Sequence, residues 1–532
     1  MKRYKLICIV ACLIVVLSLV SNHIVNRNGK VTSLMGLTAV QAYTEGGLAN
    51  CRYGIAPVNA PVSSVSTFGA GWHLNFSTGF PTPPANDAEF VPVIRINQNK
   101  TASGVYLPSY TVVPSLTNSA LGSRIDSNPG SLWIVGNEID RGPDPGQTQS
   151  SQDDVYPEIY ATAYHEVYNY IKQRDPSARV AISALVQVTP GRLQYLDRVW
   201  NSYKDQFNSG MPVDVWNMHI YILPEVNAQG QPNSIANIAL GTDPGIAKWE
   251  SGGSAAMCPL ANVYCFAEHD SMSIFVEQIT NMRSWMKAHG QQNKPLILSE
   301  YSILFPVNHD NGSPFYDENQ NQFFPARVTQ FMLNTFNYME NVQDPSLGYP
   351  ADNDRLVQQW LWFSGQADGA GRASNLLEDN LVTMTLMGQT YQSYVASSPL
   401  ERNPYVEKAH PYVGYTDGAP TIDAPMAVTF RNNGDGNIES DLTVTFYEDE
   451  ARTMPITSTV VATTIRGCTT GIYKATAVWP DRAPGVYQYW VEIDSTNQVN
   501  ANAGDWTEDN FGSSLILIDP DYQLFLPMIA KH

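Results

Sequence analysis

Between Arg52 and Ser397 the sequence alternates short apolar runs with helical stripes, and that alternation constrains the fold more than any other feature. The strand-like runs are 53–58, 71–76, 90–96, 132–137, 179–186, 213–220, 295–299 and 358–363. Runs of this length, bounded by Gly or Pro, read as strands buried on both faces, as in parallel sheets. Between them, Leu193, Leu196, Val199, Trp200 and Tyr203 recur at helical spacing. So do Ile274, Phe275, Ile279, Met282, Trp285 and Met286, with Gly290 as terminator, and Val328, Phe331, Met332, Thr335, Phe336 and Met339. Eight β–α repeats predict a (β/α)8 TIM barrel. The stripes are core positions, not cofactor contacts.

After Tyr394 the helical period stops. Short alternating runs replace it at 427–431, 442–447, 458–464, 476–479 and 487–493, separated by Gly- and Asn-rich turns. An all-β sandwich reads this way. The expected organisation is a signal peptide or N-terminal anchor at 1–42 and the barrel at 43–400. A linker at 401–423, a β-sandwich at 424–518 and an apolar tail at 519–532 complete it. The first of these rests on Lys2, Arg3 and Lys5 preceding the apolar stretch 6–20, with Val40-Gln41-Ala42 as a small-residue cleavage site. Export to the exterior or the cell surface is the expectation, with envelope association through the anchor or the C-terminal region.

Hydrophobic content of 43% with 15% charged residues describes a folded chain. A net charge of -19 argues against nucleic acid or an anionic membrane as partner, because phosphate binding requires clustered cations. Cys258 and Cys265 bracket a short loop and are expected to pair as a disulfide. No second Cys or His pair lies at ligand spacing, so no metal is expected, and no cofactor either.

Two of the eight runs end in glutamate: Leu132-Trp133-Ile134-Val135-Gly136-Asn137-Glu138 and Pro295-Leu296-Ile297-Leu298-Ser299-Glu300. A carboxylate closing a barrel strand enters the mouth of the sheet, where barrel chemistry occurs. Two such groups on one cleft are the minimum equipment for cleaving a glycosidic bond. Asn137 is placed to bond a sugar 2-hydroxyl. Tyr301, His219 and Tyr221 are candidates to orient or tune a nucleophile, and Arg95 to hold a carboxylate ionised. Trp362, at the end of the last run, is a candidate to stack on a sugar, although tryptophans here are more often packing residues. His219 alone is more often a satisfied core histidine.

Asn137-Glu138 on the fourth run and Glu300 on the seventh resemble the clan-A glycoside hydrolases, which are retaining (β/α)8-barrel enzymes. The resemblance implies Glu138 as acid/base and Glu300 as nucleophile. Trp72-His73-Leu74-Asn75, Phe90-Val91-Pro92-Val93, Gly136-Asn137-Glu138-Ile139-Asp140, Met218-His219-Ile220-Tyr221 and Leu298-Ser299-Glu300-Tyr301 are similar to signatures of the Asl1-like glycosyl hydrolases, an endo-β-1,3-glucanase group. It brings Trp72 and Asn75 into the substrate-binding set. The 424–518 region resembles CARDB-like modules. The implied function is an exported retaining glycoside hydrolase acting on a carbohydrate, a polysaccharide by expectation. The alternative is a catalytically inactive carbohydrate-binding or adhesion protein.

Overall fold

The computed structural model describes residues 23–25, 31–33, 49–82, 84–85, 88–251, 260–304, 307–308, 313–314, 316–499 and 509–520. The chain divides into two compact units, Met1–Gly47 and Leu48–His532. In the first, strands His23–Val25 and Val31–Ser33 pair antiparallel. The rest of the expected signal or anchor, the cysteine Cys258 and the tail from 521 onward lie outside the described residues. No described helix is long and apolar enough to cross a membrane.

The second unit is mixed α/β, with several sheets. One six-stranded sheet runs in the order Trp216–Ile220, Leu296–Tyr301, Gln359–Gln366, Asn50–Val58, Ala70–His73 and Glu89–Phe90. Every ladder in it is parallel. A four-stranded sheet holds Tyr106–Val113, Val93–Lys100, Leu132–Val135 and Arg179–Ile182. Its last three strands are parallel and its first closes an antiparallel hairpin that no sequence signal announces.

The sheets touch at both flanks. Ala181 and Val215 form a parallel bridge, and Asp214 N donates to Val180 O at 3.1 Å. At the other flank only Val91 and Pro92 separate Phe90 from Val93, and Val91 N donates to His73 O at 2.8 Å.

Helices Pro157–Arg174, Pro190–Phe207, Met272–Ala288, Pro325–Asn341 and Leu386–Ser397 follow strands in the expected alternation. Three begin with proline at the first helical position, where the missing N–H has no intrahelical acceptor to lose. Strand parity sorts the side chains into two clusters. Tyr53, Ile55, Ile94, Trp133, Val180, Trp216, Leu298, Trp360 and Trp362 pack with the helices. Ala56, Trp72, Val93, Ile134, Ala181, Val215, Ile297 and Leu361 belong to a separate cluster to which each of the eight expected strands contributes.

In the C-terminal part, Pro404–His410, Ile422–Asn432 and Tyr473–Arg482 form one sheet. Tyr412–Gly414, Phe511–Ile518, Gly485–Ile493, Leu442–Tyr447 and Pro455–Val461 form another. Both contribute to a single apolar cluster, Met426, Val428 and Phe430 from the first and Val444, Phe446 and Ile516 from the second. The stretch expected as a linker carries two strands instead. Its alternation, Val406 and Ala409 against polar neighbours, is too short to separate from loop by pattern alone.

This part is fixed to the N-terminal ends of the parallel strands. A disulfide joins Cys51 to Cys468 across 417 residues of sequence. Beside it, buried Arg52 makes a bidentate pair with Asp352, at 3.0 and 2.9 Å, and also donates to Asn433 O. Cys51 N donates to Asp435 O at 3.0 Å.

Candidate active site

The chain bends sharply where the strand Leu132–Val135 ends. Gly136 adopts φ +94°, and a Cβ there would lie 2.8 Å from Ile139, so only glycine fits. Glu138 itself is left-handed, at φ +48°. A non-glycine residue in that conformation is uncommon and concentrates at functional sites. Asp153 holds the bend. Its Oδ2 accepts from Ile96 N and from Asn137 N, both at 2.9 Å, and its Oδ1 accepts from Arg95 Nε at 2.6 Å. Burial pushes the Asp153 carboxyl up to about 6 against the opposing pull of Arg95.

The second carboxylate depends on an irregularity. The ladder between Leu296–Tyr301 and Trp216–Ile220 shifts register after Met218, so that His219 pairs with Glu300. Bulges re-aim side chains. Here Ser299 and Glu300, consecutive along the strand, both make side-chain bonds to the Trp216–Ile220 strand and the residue following it.

Glu138, His219 and Glu300 converge: one carboxylate oxygen of each glutamate and a ring nitrogen lie within 4.8 Å of one another. Glu138 and Glu300 are only 5% and 9% exposed. His219 Nδ1 stands 3.1 Å from Glu138 Oε1, and Nε2 stands 3.1 Å from Ser299 Oγ. The Tyr221 hydroxyl donates to Glu300 Oε1 at 2.7 Å.

Burial raises the Glu300 carboxyl to about 7; the His219 charge opposes this, the Glu138 charge adds to it, and the Tyr221 hydrogen bond and Arg95 oppose it. Burial lowers His219, but Glu300 and then Glu138 outweigh it, and the net direction is upward. Coupled groups of this kind share protons rather than titrate singly. The same donor atoms form a set of the type that takes a divalent cation. Both imidazole nitrogens and Glu300 Oε1 are already engaged within the protein, so a cation would have to displace those bonds.

The other predicted residues fall in different places. Asn137 is buried beside Glu138 and donates to Gln152 Oε1 at 2.9 Å. Arg95 pairs with Asp153, and its charge still reaches Glu300. Asn75 is exposed and accepts from Ser77 N and Oγ, capping its own turn.

Three expected sugar contacts are buried instead. Trp362 is fully buried, donates to Ser374 O and packs edge-on against Tyr301. Tyr301 is equally buried, with its hydroxyl 3.2 Å from Thr335 Oγ1 on a helix. Parity explains Trp362, which alternates with inward Leu361 and faces the helical layer, whereas Tyr301 reaches that layer through the register shift of its strand. Trp72 lies in the inner cluster, where its ring fills the space left open by Gly54. Cys265 is disulfide-bonded, while its expected partner Cys258 lies outside the described residues.

Ser299, Asp153 and Gln152 were missed by sequence reasoning. Only Ser299 carried a signal, through its adjacency to Glu300. Behind Glu138, Arg192 bridges Asp140, at 2.8 Å, and Glu225, all three buried, and so ties the loops that flank the site.

No known family profile and no curated protein matches the sequence. Among solved structures, the chain is similar to a GH128 (subgroup II) endo-β-1,3-glucanase from Sorangium cellulosum, at 18% identity and TM-score 0.37, over 64% of this chain and 98% of that one. It is also similar to a GH128 (subgroup VII) oligosaccharide-binding protein from Trichoderma gamsii, at 11% identity and TM-score 0.36, over 65% of this chain and 94% of that one. A CARDB domain from Pyrococcus furiosus matches at 17% identity and TM-score 0.17, over 23% of this chain and 97% of that one.

Proposed function

We propose that this chain is an exported retaining glycoside hydrolase that cleaves β-glycosidic bonds in a polysaccharide. The carrying observation is the approach of Glu138 and Glu300 from different strands, with donor oxygens within 4.8 Å. Retaining enzymes hold the pair about 5–5.5 Å apart, while inverting enzymes leave 6.5–9.5 Å for a water. The two parallel sheets act as arcs of one (β/α)8 barrel. The bridge at Ala181, the continuity through Val91 and the inner cluster drawn from all eight runs support this reading. The C-terminal sheets then form a β-sandwich over their common cluster.

In the first step, Glu138 gives its proton to the leaving oxygen while the free oxygen of Glu300 attacks the anomeric carbon, yielding a glycosyl-enzyme and the released alcohol. In the second, Glu138 takes a proton from water, whose oxygen displaces Glu300. Tyr221 supports the nucleophile role of Glu300, because its hydroxyl donates to the ionised form. His219, fixed by Ser299, is placed to hold the ionised Glu138 in position between the steps.

Release of reducing sugar from a panel of glycans, followed by labelling with a 2-fluoro sugar, tests this reading. The label belongs on Glu300. A panel bound but never cleaved would favour the adhesion alternative.

A further inference from the structure

A cavity lies at the end of the parallel strands opposite the carboxylate pair, between their N-terminal ends and the C-terminal sheets. Its volume is about 680 Å3, within the usual range of small-molecule sites. Five cations line it: Lys172, Arg179 and Lys294 from the parallel-strand side, Arg431 and Arg466 from the C-terminal part. Among the described residues only two carboxylates, Asp214 and Glu407, stand in the same wall. The whole chain holds 31 Lys and Arg against 50 Asp and Glu, so the cavity inverts the balance of the molecule.

The ion pairs leave charge over. Lys172 is matched by Asp214 at 2.8 Å and Arg431 by Glu407 at 2.8 Å. Arg179 and Arg466 share the one carboxylate of Glu89, at 2.6 and 3.4 Å. Lys294 has no ion-pair partner among the described residues. Two positive charges are therefore uncompensated along a partly open cavity. Burial depresses the Arg179 guanidinium, and Arg466 and Arg431 depress it further, although Glu89 opposes them. Like charges gathered at short range repel, and an anion between them removes the repulsion.

We propose that this cavity binds a small ligand bearing an oxyanion — phosphate, sulfate or carboxylate — held by Arg466, Lys294 and Arg179. A guanidinium fork matches such a group with paired hydrogen bonds, and Lys294 adds a point charge. The site is independent of the carboxylate pair and of any hydrolytic activity.

The full chain, titrated with sodium phosphate, sodium sulfate and sodium glucuronate in buffers matched in ionic strength with sodium chloride, tests it by calorimetry and thermal unfolding. Saturable binding with a rise in Tm beyond the chloride control is expected for at least one anion. Preference for phosphate or sulfate identifies a phosphoryl or sulfuryl group, and preference for glucuronate a sugar acid. Arg466→Gln with Lys294→Gln should weaken binding by about tenfold or more, whereas Arg466→Lys should retain part of it. Both positions are solvent-accessible, so the variants fold. Heats no larger than those of chloride for all three anions, or affinity unchanged in the double variant, would overturn the proposal.

Discussion

The two ends of the parallel strands solve opposite problems. At the N-terminal end, Arg52 sits buried with Asp352 in a bidentate pair, donates its remaining bonds to Gln358 O and Asn433 O, and lies next to a covalent tie. At the C-terminal end, two carboxylates are buried within reach of each other, Glu138 sits in a left-handed conformation, and a register shift breaks the ladder. Arg52 is a buried charge that its partners satisfy. The carboxylate pair is held where charge is unfavourable, and that is the end where the proposed chemistry lies.

Substitution at the carboxylates should break this contrast most visibly. Glu300→Gln is expected to lower kcat by about 10⁴-fold or more, and Glu138→Gln by about 10²–10⁴-fold, on a substrate with a poor leaving group. Stability should move the other way. Glu300 holds a proton in the native state up to about pH 7 that the unfolded chain releases in the ordinary carboxylate range. Native stability from this group is thus fully present below that range and lost as pH rises to about 7. Glu300→Gln should therefore leave Tm unchanged near pH 4 and raise it near pH 8. A Tm difference independent of pH would contradict the burial argument.

The N-terminal end should respond in reverse. Cys51→Ser with Cys468→Ser is expected to lower unfolding free energy by about 2–4 kcal/mol while leaving kcat unchanged. Denaturant unfolding and steady-state kinetics on the same preparation separate the two effects. Between these extremes stands Asp153, which holds the Glu138 bend without reaching the reacting atoms. Asp153→Asn removes the shared acceptor and frees Arg95. A fall in kcat of about 10²-fold is expected, because small displacements of a catalytic group are expensive. The acid limb of the pH profile should move as Arg95 is released, which a purely structural defect would not produce.

The mixed α/β character is legible because buried parallel strands leave apolar runs and the helices leave stripes, both local patterns. Strand ends are less legible. The run through Asn137 stops at Val135 because Gly136 turns left-handed, and nothing in the run distinguishes that glycine from one inside a strand. The same limit decides the site residues. Counting alternate positions forward from Ile297 puts Glu300 on the outer face; the register shift brings it to His219 and leaves Tyr301 with the helices. In the ladder with Trp362 the extra residue lies on the Leu296–Tyr301 strand, so Trp362 follows its own parity into the core. The partners Asp153 and Cys468 are set by tertiary approach, one 15 residues beyond Glu138 and the other 417 beyond Cys51, and neither spacing is a motif.

The smallest expected effect examines the balance within the site itself. Tyr221 donates to Glu300 and so favours its ionised form, opposing burial and Glu138. Retaining hydrolysis needs Glu300 ionised and Glu138 protonated, so kcat/KM should fall on the acid side with an apparent pKa well above the ordinary carboxylate range. Tyr221→Phe removes the donated bond and nothing else of comparable charge. The acid limb should then move to higher pH by about one unit or less, with the alkaline limb less affected. A shift toward lower pH would mean that Tyr221 bonds the protonated form, and the nucleophile and acid roles of the two glutamates would have to be exchanged. The direction of one modest shift therefore tests the assignment that the larger losses cannot, since removing either carboxylate lowers turnover steeply whichever role it plays.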